Sequence, residues 1–269
     1  MELTQQAHEV TLLQRPGVGH LPLRETVDRP LNGEAARPHA RPNAVRIDRS
    51  LLDDRPVVMP GDSGPAAHAF RMLRTQLLQR IRHHRVRTLG IVSAADGEGK
   101  TVTAVNLALS LAVEPNQTVL LADLDLRRPS VVSTLKLAVE LGLESWFAGT
   151  TAHIREITYP VEGFHRLSIL PTLSPVVASS EALAGIRAQA MLDELKHFEA
   201  NRLVLIDLPP LLLTDDFMTI AAHLDAVVIV AREGRTKRDD LTHMAEILGP
   251  VHVLGTVLNH SGQFERRAY

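Results

Sequence analysis

The sequence predicts an α/β chain: a doubly wound, mostly parallel sheet with helices on both faces, preceded by a disordered Arg/Pro-rich arm. Three observations carry that reading. Short apolar runs alternate with helical segments from about residue 88 to residue 259, the pattern of a parallel sheet covered on both sides. Hydrophobic residues make up 45% of the chain but aromatics only 3%, so the core rests on Leu, Val, Ile and Ala, the usual content of fully buried strands. The loop after the first run, "SAADGEGKT", lies between a strand and a helix, where such folds place a glycine-containing turn.

The arm comes first. From about Arg15 to Pro65 the chain repeats Arg and Pro with few periodic apolar positions. Proline removes backbone donors, and this composition buries too little surface to offset ordering entropy. A brief ordered piece is expected around Val45 to Leu52. The divisions are therefore 1–65 for the arm, 66–259 for the domain and 260–269 for a tail. As a basic segment the arm is either a solvated linker or a contact for an anionic membrane face or a partner.

A helix is expected from Ala66, because Phe70, Leu73, Leu77 and Ile81 share one face at helical spacing. Arg71, Arg74, Arg82 and Arg85 lie off that stripe, as a solvated basic face or a subunit contact. Strands follow at "TLGIVSA", "QTVLLADLD", "RLSILPT", "RLVLIDLPP", "DAVVIVARE" and "VHVLGTVLN". Between them the sequence predicts helices at about 100–113, 128–135, 180–198, 217–222 and 238–248. Right-handed crossovers place the C-terminal ends of all these strands along one edge, where ligands bind.

Composition narrows the chemistry. A net charge of −2 gives no bulk electrostatic reason to expect nucleic acid. With no cysteine, disulfides, Cys-ligated zinc and iron–sulfur clusters are excluded, which suits a reducing compartment. No apolar run reaches the ~18 residues of a membrane span, and the N-terminus has no apolar signal core. The expected location is cytoplasmic. The histidines show no metal-ligand spacing, and none is assigned a metal.

Ala94-x-x-x-x-Gly99-Lys100-Thr101 fits the phosphate-loop pattern, with Ala in place of the leading Gly. Gly97 and Gly99 let successive N–H groups wrap a phosphate, and the helix that opens at Lys100 adds its positive dipole end. Asp96, Gly97, Glu98, Gly99, Lys100, Thr101 and Val102 are thus the expected nucleotide-binding residues. Lys100 can reach the outer phosphates, and the Thr101 hydroxyl can ligate Mg²⁺. In "LLADLDLRRPS", Asp123 and Asp125 share a side-chain direction on a strand. Two such carboxylates repel unless a cation or a proton sits between them. That suits Mg²⁺, with one carboxylate free to accept a hydroxyl proton. Asp207 closes "LVLID" and would hold the metal through a water. Arg235 and Arg238 are read as a charged loop and helix cap or as contacts to nucleotide or a neighbour.

With these elements on one chain, residues 66–259 resemble the bacterial tyrosine kinases of capsule and exopolysaccharide synthesis, a branch of the deviant-Walker P-loop ATPases. "SAADGEGKT" is similar to their Walker A, "LLADLDLRRPS" to their second aspartate motif and "LVLIDLPPLLLTDD" to their Walker B. "AFRMLRTQL" and "LPTLSPVVASSEALAG" resemble the helix before the core and the segment before a mid-domain helix. The resemblance implies an ATP- and Mg²⁺-dependent protein tyrosine autokinase with Lys100, Asp123 and Asp125 as catalytic residues and Thr101, Asp123 and Asp207 on the metal. It implies a membrane polysaccharide co-polymerase as partner, peripheral placement at the inner membrane, and homo-oligomeric rings. In the family's E-x-x-R-x-x-R ring helix, Arg71 and Arg74 fit and His68 stands at the Glu position. The family's tail tyrosines reduce here to Tyr269, the candidate phospho-acceptor, while Tyr159 is expected to be structural. The alternative is a partition- or septum-type ATPase switch that phosphorylates nothing; Ala95, where that group carries its signature Lys, favours the kinase branch.

Overall fold

A computed structural model of the protein describes residues 42–52, 56–197 and 201–261. Most of the expected arm, Asp53 to Arg55 and the tail with Tyr269 lie outside the described residues. Fifteen principal elements follow in chain order: α1 (Pro65–His84), β1 (Thr88–Ser93), α2 (Lys100–Leu111), β2 (Thr118–Asp123), α3 (Val131–Leu135), α4 (Leu143–Phe147), β3 (Tyr159–Val161), β4 (Phe164–Leu170), α5 (Ser179–Ala184), α6 (Ile186–His197), β5 (Arg202–Asp207), α7 (Asp216–Ile220), β6 (Ala226–Arg232), α8 (Arg238–Leu248) and β7 (His252–Asn259).

The sheet runs β3-β4-β2-β5-β1-β6-β7. Every pairing is parallel except β3 with β4. Alternation within each strand fills two apolar layers. Leu89, Ile91, Val119, Leu121, Leu203 and Leu205 face the layer that contains Leu77, Ile81 and Leu107 of α1 and α2. Val92, Leu120, Ala122, Val204 and Ile206 face the other, with Met191, Phe217 and Met244 of α6, α7 and α8. Each such buried Leu or Ile stabilises the fold by about 1.5–3 kcal/mol. Aliphatic side chains carry the core, as the composition required.

Two local features depart from the sequence reading, and a third follows it. β3 adds an antiparallel edge strand of three residues, Tyr-Pro-Val, too short and too proline-bearing to show a strand period. The helix expected at 180–198 is two helices, divided at Gly185, whose extended backbone (φ −75°, ψ 161°) ends α5. The third is the brief ordered piece expected around Val45 to Leu52, where Val45 bridges to Val161 of β3. Val45 donates its N–H to Pro160 O (2.8 Å) and accepts from the Glu162 N–H (2.8 Å), and Val45, Ile47 and Leu52 are buried. Further on, Asn106 of α2 ties down the backbone at Pro56 and Val58 through bonds of 2.8 and 2.7 Å.

Candidate active site

β5 lies between β1 and β2, so the topology sets three loops side by side. Asp207 is in register with Asp123 on β2 and with Ile91 on β1. The glycine-containing loop after β1, the Asp123–Asp125 turn and Asp207 therefore meet at one sheet edge. They are far apart in sequence and adjacent in space.

The loop has the conformation its glycines permit. Gly97 and Gly99 adopt φ of +74° and +91°, a region that costs other residues about 1 kcal/mol or more. A Cβ on Gly99 would lie 1.8 Å from Nδ2 of Asn259, the amide that donates to Glu98 O at 2.9 Å. Gly99→Ala is expected to lower the melting temperature and weaken ATP binding roughly five- to a hundredfold, on the scale of a backbone strain of about 1–3 kcal/mol. Thermal melts and nucleotide titration check this; unchanged affinity would show that the loop does not need this turn.

Lys100 is the hub. Its Nζ lies 2.9 Å from Asp207 Oδ1 and 3.2 Å from Asp125 Oδ2, almost entirely out of solvent. The Thr101 hydroxyl donates to Asp207 Oδ2 (2.6 Å), and Ser130 Oγ lies 2.9 Å from Thr101 Oγ1. Asp123 is engaged differently: its Oδ2 accepts the Ser130 and Val131 N–H groups, both at 2.9 Å, at the start of α3. Asp125 Oδ1 accepts the Arg128 N–H at 3.0 Å.

Electrostatics follow from this crowding. Burial opposes the charge on Lys100, yet Asp207 and Asp125 outweigh it and hold its pKa above the ordinary value. Burial, then Asp207, pushes the Asp123 carboxyl up to about 8. Burial also raises Asp207, against the pull of Lys100 and Thr101. Three buried carboxylates share one ammonium, an arrangement that favours a further cation or a bound proton. Among the described residues no three His, Asp or Glu side chains converge as a metal cage. Oxygens from one or two carboxylates and a hydroxyl suit Mg²⁺, which takes its remaining ligands from phosphate and water.

Other expected residues fall out unevenly. The Asp96 side chain pairs with Arg128. The Glu98 carboxylate turns inward, accepting the Ala94 and Ala95 N–H groups at 2.8 and 3.0 Å and the Thr236 hydroxyl. Both can offer only backbone to a phosphate. Val102 is half-buried in the first turn of α2. Arg232 donates to Gly97 O at 2.9 Å, and the Arg235 guanidinium lies against Gly97, so the β6 loop flanks the phosphate loop. Arg238 opens α8. Arg71 bonds Asp62 O at 3.1 Å, and Arg74 meets Glu114 at 3.1 Å and Ser110 O at 3.2 Å. Tyr159 is buried, its hydroxyl donating to Leu141 O (3.0 Å) and accepting from Leu141 N (3.1 Å). Ser130, Thr236 and Asn259 were not expected from sequence: Ser130 stands beside a recognisable motif, but nothing local marks the other two.

No protein-family model matches the chain. It is 28% identical over 221 residues to the tyrosine-protein kinase YwqD of Bacillus subtilis, covering 80% of this chain and 90% of YwqD. The kinase domain of the Escherichia coli tyrosine kinase ETK superposes with a TM-score of 0.65 at 26% identity, covering 77% of this chain and 78% of that one. The chain is a homologue of the bacterial tyrosine-protein kinases. This kinase homologue also matches the succinoglycan biosynthesis transport protein ExoP of Rhizobium meliloti at 27% identity, covering 96% of the chain but 34% of ExoP. It thus spans about a third of that relative's length. The wider P-loop ATPase kinship appears in the chromosome-partitioning ATPase Soj of Thermus thermophilus, 35% identical over 149 residues, 55% of the chain and 56% of Soj. A Pyrococcus horikoshii septum site-determining protein MinD, solved with Mg-ADP, aligns at 26% identity and a TM-score of 0.54 over 67% of the chain and 72% of MinD. Among the described residues no helix is long and apolar enough to cross a membrane.

Proposed function

We propose that the protein is an ATP- and Mg²⁺-dependent protein tyrosine autokinase serving polysaccharide polymerisation or export beside a membrane co-polymerase. The observation that carries this is Lys100 held between Asp125 and Asp207 at the mouth of a phosphate loop, on a chain whose relatives are tyrosine kinases.

The roles follow from the contacts. The N–H groups from Asp96 to Val102 cradle the phosphates, and Lys100 swings from its carboxylates to the β- and γ-phosphate oxygens. Thr101, Asp123 and Asp207 would hold Mg²⁺, which would supply positive charge against the phosphates. Asp123 Oδ2 is committed to two backbone donors, whereas Asp125 Oδ2 is released when Lys100 turns away. Asp125 is then the base. It takes the phenolic proton as the tyrosine oxygen bonds to the γ-phosphorus and the bond from that phosphorus to the β-bridging oxygen breaks, releasing ADP. Assembly into rings would use α1, with Arg71 and Arg74 leaving their present partners.

The acceptor of this reading is Tyr269. With ATP, Mg²⁺ and the activating partner, Tyr269→Phe is expected to lose essentially all phosphotyrosine while keeping ATP hydrolysis, as read by phosphosite mass spectrometry and phosphate release. The likeness to Soj supports a second reading, an ATPase switch. Phosphate release that depends on Lys100, with Tyr269 and Tyr159 unmodified in the wild type, would establish that one instead.

A further inference from the structure

The sheet has a second charged edge, opposite the nucleotide site. From Ala66 to Ser93 the chain contains no Asp or Glu but has arginines at 71, 74, 80, 82, 85 and 87. A helix C-terminus favours one or two cations; it does not account for so long an acid-free stretch. Arg82 and Arg85 are exposed at the end of α1, and among the described residues neither has an ion-pair partner. Arg85 holds the helix-ending left-handed conformation, φ +55°, where Gly would be free of strain and Arg costs about 1–2 kcal/mol.

Three rings from two elements gather beside these arginines. His83 and His84 meet edge-on at 4.7 Å, and His84 lies 4.3 Å from His252 at the start of β7. Burial, then His252 and His83, holds His84 below its ordinary pKa, so His84 itself adds little to the arginines' charge at neutral pH. The acid that approaches it, Asp225, accepts the Arg87 and Thr88 N–H groups at 2.8 Å. Val253, next to His252, is 38% exposed.

We propose that the end of α1, with Arg82 and Arg85 at its centre and His83, His84 and His252 beside them, is a docking surface for anionic phospholipid headgroups. Charge complementarity carries the choice of occupant. An exposed valine beside the basic cluster suits the headgroup boundary. Nucleic acid fits less well, because among the described residues no Phe, Tyr or Trp ring is exposed as a base-stacking platform. Docked this way, the strand starts face the bilayer and the phosphate loop, at the far edge, faces away from it. The inference extends the proposed work beside a membrane protein, but its test needs no kinase activity, so either can fail alone.

The test is sedimentation of the full chain with phosphatidylcholine vesicles, with and without phosphatidylglycerol, at about 0.15 M salt. Binding is expected only with the anionic lipid. It should weaken about thirtyfold in Arg82→Gln/Arg85→Gln and persist in Arg82→Lys/Arg85→Lys, with unchanged melting temperatures. No sedimentation of the wild type, or undiminished binding of the Gln variant, would overturn the proposal; the latter would place the attraction elsewhere, the N-terminal arm included. Equal loss in the Lys variant would also overturn it. So would duplex DNA bound as tightly as the vesicles at the same salt and released by the Gln variant.

Discussion

Lys100→Met is expected to lower tyrosine phosphorylation about a thousandfold, the scale of losing a preorganised cation or donor from a charged transition state. The same change has a second effect that a merely phosphate-binding lysine would not produce. In the nucleotide-free protein Lys100 neutralises Asp125 and Asp207 inside the fold. Removing one partner from a buried ion pair costs about 3–5 kcal/mol. Here the carboxylates can recover part of that by taking up protons, more readily as the pH falls. The variant should therefore melt well below the wild type at pH 8 and approach it at pH 5. Calorimetry of both proteins across that range, beside a phosphotyrosine assay at saturating ATP, checks the two effects together. A variant that lost phosphorylation but melted like the wild type at pH 8 would show that the lysine does not sit between the acids in the free protein.

That dual role was not legible in the sequence, although its parts were. "SAADGEGKT" named the loop because φ-permissive glycines before a Lys-Thr helix start have one common use, and the strands around it were legible because both faces are aliphatic. Pairing partners are another matter. Asp123 and Asp125 share a direction on an ideal strand, but β2 ends at Asp123, so the two split: one caps α3 and the other meets Lys100. Glu98 looks like a phosphate-loop surface residue and instead folds inward, where its carboxylate satisfies the Ala94 and Ala95 N–H groups. Asn259 and the histidine group of α1 and β7 depend on strands that meet only through the sheet order. No local pattern announces either of them.

Asp123 gives the other large effect. Its carboxyl ordinarily titrates at 3.8 and is pushed up to about 8 by burial and by Asp207. Below about pH 4 it is protonated whether the chain is folded or not, and the protonated form's full contribution to stability is present. As the pH rises, the unfolded chain releases the proton first while the folded protein keeps it. Stability then falls with each unit until the folded group also ionises near pH 8, and levels off above. Asp207 is raised as well and adds a slope of the same sign. The nucleotide-free protein should thus lose stability from pH 5 to pH 8, by an amount on the order of a few kcal/mol. Asp123→Asn, neutral throughout and still able to accept from Ser130 and Val131, should show a much shallower slope and be the more stable protein at pH 8. Mg²⁺ with ADP should flatten the wild-type slope in the same direction, since a cation beside the carboxylates lowers their folded-state pKa. Urea unfolding at several pH values, with and without Mg²⁺ and ADP, measures all three slopes. Parallel lines for wild type and variant would mean that Asp123 is already ionised in the free protein, leaving the Lys100 ion pairs to carry the pH response alone.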